Sequence, residues 1–541
     1  MSRERKEIDE RRLTKEERRA LRLKKRRREI AIMRAVIAVV AILIIILAVV
    51  LIRATISGGK KTPKPSSNAT TQTGTQDVSA NQNQDIEISD NSADGSVTAD
   101  DASSGSDENT DDASADAPAD EAAAPAEGDA GQALQKAALL AAGYDYDGAM
   151  ELLRSVPDYD QNDDITSAIT EYETAKSACV AVDPNSVPHI FYHSLVNDPN
   201  RAFNASVLGQ GGADGMNAWM TTVEEFDKST QQLYDRGYVY VRLRDLVVES
   251  VGEDGKKHFT PNTNLMLPPD KKAIVLSVDD LSYYHSYKPA GFPEKLVLDE
   301  NGLVKCRYTD ADGNTTVGDY DVVPRLNTFL REHPDGAYHG ARGMIAMTGY
   351  DGVFGYRTDI DYELRERLTP DQSQWLEEHP DFNRQTEIEE ATVIADAIKN
   401  EGWEFASHTW GHLSVTQVSA DKLLEDNKRW VENVGNIVGD TDIIIFAHGN
   451  DIGDWQEYAP DNDKYIALKG AGYNYYCNVD GSVPYWVQIR SDYVRQGRID
   501  LDGYMLYRAT LGETTVLDNL IDAASVFDQR RPTPVVANGQ G

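Results

Sequence analysis

The chain is 541 residues long and carries 89 Asp and Glu against 54 Lys and Arg, a formal net charge of −35. That length leaves room for two or more domains and one large core, and the charge is divided by segment rather than spread over one surface. Three scattered cysteines, Cys179, Cys306 and Cys477, lack ligand spacing, which argues against a disulfide framework and a cysteine metal site.

Residues 1–34 are basic, with Arg11-Arg12, Arg18-Arg19 and the run Lys24-Lys25-Arg26-Arg27-Arg28. Residues 35–52 are an uninterrupted run of Ala, Val, Ile and Leu between Arg34 and Arg53. At ~1.5 Å per residue this run crosses most of a ~30 Å hydrocarbon core. A cleaved signal peptide has an apolar core of roughly 7–15 residues, so the longer run predicts an uncleaved transmembrane helix. The preceding cations predict a single pass through the cell membrane, with a cytoplasmic N-terminus and an extracytoplasmic remainder. The basic run is then a topology signal and an anionic-lipid contact, and no nucleic-acid partner is expected.

Residues 53–130 are Ser, Thr, Asn, Gln, Asp, Ala and Gly with almost no large apolar side chains. Such a segment cannot bury enough surface to offset its ordering entropy, and it is predicted to be a disordered acidic linker. Its random-coil reach is on the order of 50 Å. Residues 131–182 carry helical patterning in three pieces: one stopping at Gly143, one starting at Tyr144, and one over about 165–179. The Gly-Tyr-Asp-Tyr-Asp-Gly-Ala-Met spacing is similar to one tetratricopeptide-type hairpin, and a single copy reads as a stalk or cap.

Across residues 183–530 strand and helix patterns alternate. Strands are predicted over 189–195, 238–243, 273–279, 343–348, 404–408, 442–446, 473–479 and 504–508. Helices are predicted from a Thr222 to Glu225 capping box to Tyr234, over 322–333 and 387–400, from Ser419 to Val434, near Tyr465, and up to about Phe527. Strands alternating with helices of this length imply parallel βα units, and their number favours a closed α/β barrel over an open sheet. The polar, turn-rich stretch 286–318 interrupts that rhythm and reads as an insertion walling the site. Residues 531–541 read as a tail.

Two stretches concentrate the chemistry. Residues 273–279, Ala-Ile-Val-Leu-Ser-Val-Asp, suit a strand covered on both faces, and the run ends in Asp279-Asp280. Parallel α/β folds bind ligands at the carboxyl ends of their strands. Downstream, Ser407-His408-Thr409-Trp410-Gly411-His412 follows another apolar segment, and two histidines four apart on one face of a helical turn are near enough to grip one metal ion. Alone, an Asp-Asp pair more often caps a turn, and a His pair is as often structural. Together they make three metal ligands and one free carboxylate.

Residues 188–512 resemble the polysaccharide deacetylase family, the NodB-homology domain of carbohydrate esterases, whose fold is a distorted (β/α) barrel. The similar pieces fall in the family's order. Phe191-Tyr192-His193-Ser194 resembles its opening Tyr-His strand, and residues 226–246 its helix and strand ending in Leu-Arg-Asp-Leu. Ser277-Val278-Asp279-Asp280 resembles Thr-Phe-Asp-Asp, and His408-Thr-Trp-Gly-His412 resembles His-Ser/Thr-x-x-His. Phe446-Ala447-His448-Gly449 sits where the family has a Pro-Tyr-Gly turn, and Ala471-Gly472-Tyr473 resembles its late Ala-Gly-Tyr.

The resemblance implies Asp280, His408 and His412 as ligands of a divalent metal, typically Zn2+, and Asp279 as general base. It implies hydrolysis of N-acetyl groups on a polysaccharide such as peptidoglycan or an N-acetylglucosamine polymer, with a backbone N–H near His448 or Gly449 for the oxyanion. Two departures stand out. Ala447-His448 replaces Pro-Tyr, and Leu506-Tyr507-Arg508 stands where the family has Leu-x-His, its proton donor. No histidine follows His448, so the acid has to come from elsewhere; His448 is the first candidate, because a turn beside the oxyanion site can reach the amine, and His285 and His339 follow. Trp410, Gly449 and Arg508 are candidate substrate contacts, although Trp410 between the histidines reads more readily as a packing anchor. Two alternatives stay open: a catalytically impaired barrel that binds glycan or a protein partner, and an O-acetyl esterase using the same site.

Overall fold

The structure is a computed structural model that describes residues 127–253 and 255–537. The basic segment, the apolar stretch 35–52 and almost all of the acidic linker therefore lie outside the described residues, among which no helix is long and apolar enough to cross a membrane. Apart from residues 298–304, all described residues fall in one structural unit.

The centre of that unit is a closed barrel. Its main sheet contains β1 His189–Tyr192, β2 Tyr238–Tyr240, β3 Lys272–Asp279, β4 Met344–Met347, β5 Glu404–Ser407, β6 Ile443–Ile445, β7 Tyr475–Val479, β8 Trp486–Ile489 and β9 Val494–Asp500. Seven of them form a ring in the order β1, β3, β4, β5, β6, β7, β9 and back to β1, every pairing parallel. The barrel is irregular at β3. There β2 pairs with Lys272, Ala273 and Ile274, while β4 takes over alongside Ser277, Val278 and Asp279. β8 is an outer strand, antiparallel to β9.

All of β3 beyond Lys272 is buried, as expected for a strand with side chains packed on both faces. The period of two along the strands sorts the interior into layers. Val275, Ala346, Ala406, Ile445, Cys477 and Val494 share one apolar core cluster. Towards the strand C-termini the interior turns polar, with Ser277 and Asp279 on β3 and Arg498 on β9 all buried. Because every ring strand is parallel, all their C-terminal ends open at the same mouth.

Helices α1 Glu127–Ala142, α2 Tyr146–Arg154 and α3 Asp163–Ala178 close around Ala137, Ala149, Leu153 and Ile165. α1 begins inside the segment expected to be linker. The three helices attach at the end of the barrel opposite the mouth. The Tyr144 hydroxyl donates to the Asp335 carbonyl at 2.7 Å and the His339 N–H donates to the Gly143 carbonyl at 2.8 Å. Val180–Ala181 pairs with Met266–Leu267.

The capping box read at Thr222 is present. It starts α4 Val223–Asp235, with Glu225 N–H on Thr222 Oγ1 at 3.2 Å and Thr222 N–H on Glu225 Oε2 at 2.8 Å. The 286–318 stretch holds a β-hairpin in which residues 315–318 pair with 306–309.

One predicted strand is overturned. Residues 504–508 belong to a helix, α5 Gly503–Thr510, capped by Asp502, whose side chain accepts the Met505 N–H. The barrel is closed instead by β9, which reads Val-Arg-Gln-Gly-Arg-Ile-Asp and offers no apolar run to recognise. Arg508 is thereby removed from any strand tip. It lies 3.6 Å from Glu513 and over the Tyr504 ring.

The chain also stays packed past residue 530. Arg531 is fully buried against Glu225, with Nη2–Oε2 2.6 Å and Nε–Oε1 2.7 Å, and its remaining donors reach the carbonyls of Asn217 and Met220. Breaking one side of a fully buried ion pair leaves the other charge without compensation. Arg531→Met is therefore expected to lower unfolding free energy by about 3–5 kcal/mol in urea denaturation. Adding Glu225→Gln to it is expected to recover part of the loss.

Candidate metal centre

β3 ends at Asp279, and Asp280 turns off the strand with a left-handed backbone, φ +58°. Two strands along the ring, beyond β4, β5 ends at Ser407 and hands on to His408. The next residues do not form the helical turn expected from the four-residue spacing. Thr409 and His412 are both left-handed, φ +62° and +51°, and Asp426 folds the turn by accepting the Trp410 and Gly411 N–H groups at 2.6 and 2.9 Å. This tight loop brings the two imidazole rings to 5.0 Å.

One ligand atom from each of Asp280, His408 and His412 lies within 4.8 Å of the others. Asp280 Oδ2 and His412 Nε2 are 3.5 Å apart, close to the about 3.4 Å edge of a tetrahedral site with ligand bonds near 2.1 Å. His408 Nδ1 is 2.8 Å from the Ile445 carbonyl. A carbonyl only accepts, so Nδ1 donates and Nε2 is the nitrogen left to face a metal, the usual arrangement of a metal-binding histidine. Asp280 and His408 are buried, while the His412 side chain is 27 % exposed, leaving one open side. Burial raises the Asp280 carboxyl, but His412, His408, His193 and the Tyr284 hydroxyl outweigh it and hold it below the usual range. Burial lowers His412 despite Asp280. One carboxylate and two imidazoles converging on a single point are a donor set a divalent cation takes, so these residues fit the metal.

Asp279 is held apart from that set. Arg498 on β9 grips it with two parallel bonds, Nη1–Oδ1 2.8 Å and Nη2–Oδ2 2.9 Å, and Nη1 also reaches Ser277 Oγ at 3.1 Å. Burial raises the Asp279 carboxyl, but Arg498 and then His408 prevail, and its pKa falls to about 2. His408 Nε2 stands 3.8 Å from Asp279 Oδ2.

Among the predicted proton donors, the structure brings His448 to the site and leaves His285 and His339 away from the triad. The His448 ring lies 4.3 Å from that of His412, and its Nε2 proton goes to the His412 carbonyl at 3.1 Å. His448 and Gly449 are both left-handed, in one 3-10 turn at the tip of β6. His285 bonds Tyr362 at 3.0 Å and is pushed down to about 4, chiefly by burial. His339 precedes β4, at the far end of the barrel.

Trp410 is an anchor rather than an open platform. Arg429 lies 3.3 Å over its ring and its N–H goes to Asp359 Oδ2 at 2.6 Å.

Two residues at the site were missed from sequence. Arg498 had no signal, because β9 itself has none. His193 stood in the quoted Tyr-His strand without a role. It follows β1, and burial lowers its pKa against the pull of Asp279 and Asp280. Its Nδ1 is buried without a hydrogen-bond partner among the described residues.

Neither a protein-family model nor a curated protein matches the chain. Among solved structures, the Streptococcus pyogenes deacetylase PplD in complex with acetate aligns at 13% identity, covering 59% of this chain and 92% of that one, with a TM-score of 0.26.

The electrostatics of Asp279 are open to direct measurement. With Arg498→Gln, burial acts on Asp279 unopposed by the guanidinium. Its carboxyl is expected to titrate about 1–3 pH units higher, read by 13C NMR on the Asp-labelled protein. An unchanged titration would mean that the ion pair is absent in solution.

Proposed function

We propose that this chain is a divalent-metal-dependent deacetylase that hydrolyses N-acetyl groups of a cell-wall or extracellular polysaccharide, peptidoglycan or another N-acetylglucosamine polymer. The observation that carries the reading is the division between two adjacent carboxylates: Asp280 grouped with His408 and His412, and Asp279 clamped by Arg498. The likeness of the sequence motifs to those of polysaccharide deacetylases supplies the substrate class.

Asp280, His408 and His412 would hold the cation, with Zn2+ favoured by the mixed N and O donors, and it would supply Lewis acidity for the acetyl carbonyl and the attacking water. Asp279 is ionised throughout the physiological range and takes the water proton. Arg498 keeps that carboxylate charged and fixes its orientation. We assign proton delivery to the departing amine to His193, on the support of its unpartnered Nδ1 and of Asp279 and Asp280, whose charges favour its protonated form against the burial that lowers it. His448 then acts as a clamp on the His412 backbone, and the N–H groups of the 447–449 turn are the oxyanion donors.

In this reading the apolar stretch 35–52 anchors the chain in the cell membrane with its N-terminus in the cytoplasm. The linker of residues 53–130 lets the extracytoplasmic barrel reach an insoluble polymer.

The test is metal content and acetate release by the full chain in detergent, on N-acetylglucosamine oligomers and peptidoglycan. Wild type is expected to hold one metal and release acetate, while Asp280→Ala and His412→Ala lose both. Asp279→Asn is expected to keep the metal and lose turnover. His193→Gln is expected to lose about 100-fold or more on the amide, and less on an acetate ester, whose leaving group needs less help from an acid. Absence of metal in wild type would sink the assignment.

A further inference from the structure

The metal-ligand carboxylate Asp280 has two oxygens in different surroundings. Oδ2 faces His412 Nε2 at 3.5 Å, and Oδ1 accepts the Tyr284 hydroxyl at 2.7 Å. The Tyr284 oxygen also bonds Thr348 Oγ1, and Thr348 Oγ1 lies 3.1 Å from Ser282 Oγ. All four side chains are buried.

The direction of this chain follows from proton counting. Each hydroxyl has one proton to give. An ionised carboxylate only accepts, so the Tyr284 proton goes to Asp280. Thr348 must then donate to Tyr284, and Ser282 to Thr348. Three hydroxyls point the same way, and each bond polarises the next.

The phenol is also fixed in place. Its ring stacks on Tyr350, with centroids 4.9 Å apart and planes 8° from parallel, and meets Tyr287 edge-on at 5.3 Å. Asp280 is held from the other side by its own N–H on the Ala346 carbonyl of β4 at 3.1 Å. Ser282 and Tyr284 follow Asp280 on the loop after β3, and Thr348 follows β4. The relay therefore ties the tips of two neighbouring strands to one carboxylate oxygen.

We propose that Ser282, Thr348 and Tyr284 form a directed hydroxyl relay that positions Asp280 as a single-oxygen metal ligand. With Oδ1 engaged by the phenol, Asp280 offers only Oδ2 to the cation. Three protein ligand atoms then leave open positions for water and an acyl oxygen, as a catalytic site requires. Without the phenol, both carboxylate oxygens are free to bind and fill one of those positions. Tyr284 is a positioning residue that acts through Asp280. The inference rests on the metal-centre reading proposed above.

The experiment is calorimetric titration of the metal-free full chain with Zn2+, and visible absorption of its Co2+ form, whose intensity falls as coordination number rises. Tyr284→Phe is expected to change Zn2+ affinity by about 10–100-fold and to weaken the Co2+ bands. Thr348→Val, which cuts the relay one step back, is expected to move both readouts the same way by less, and it carries the test if Tyr284→Phe does not fold. Wild-type affinity and wild-type Co2+ bands in both variants would overturn the relay alone. Failure of wild type to bind either metal would overturn the metal reading, and the relay with it.

Discussion

The buried pair between Arg498 and Asp279 is the constraint on which the rest of the site depends. Two adjacent carboxylates at the tip of a buried strand repel each other and lose their hydration, and either effect favours protonating one of them. Arg498 removes that outcome for Asp279 with two parallel bonds from β9, across the intervening strand β1. The next carboxylate is then free to be balanced separately, by His408 and His412. One fixed internal cation thus lets one strand end carry two adjacent carboxylates in two different surroundings. A buried guanidinium is itself expensive to desolvate, and Asp279, Ser277 and the Phe191 ring at 4.0 Å are what receive it.

The fold makes this possible through its direction. Parallel closure puts the ends of β1, β3, β5, β6 and β9 at one mouth, so side chains far apart in sequence meet there. The short turns at those ends carry much of the strain: Asp280, Thr409, His412 and His448 are all non-glycine residues with positive φ. Such conformations persist only where surrounding contacts enforce them, and they gather at functional sites. Here the enforcing contacts are visible in the Asp426 carboxylate under the 409–412 turn and in the Ala346 carbonyl that holds Asp280.

Sequence revealed the parts whose signal is local. The apolar run of β3 ending in two Asp residues, the His-x-x-x-His pair, the Thr222 capping box and the strand–helix rhythm all follow from neighbours in the chain. The grouping of Asp280, His408 and His412 was legible because its residue types are chemically specific. What stayed hidden depends on distant partners. β9 has Arg, Gln and Asp at its inward positions, since its task is to oppose charges on β3, and that pattern imitates a surface loop. Its loss as a strand shifted the expected last strand onto residues 504–508 and drew Arg508 into the site in place of Arg498. The turn at 409–412 was read as helical because the four-residue spacing fits a helix, while the carboxylate that bends it otherwise comes from Asp426.

The ring order has a consequence for the growing chain. β9 is the last ring strand to be made, yet it lies between β7 and β1, the first. Arg498 follows Asp279 by 219 residues. Until that stretch has been synthesised, the partial barrel has an open edge on β1 and an acidic strand tip with no counter-charge. The final strand therefore closes the sheet and delivers the counter-charge of Asp279 in one event.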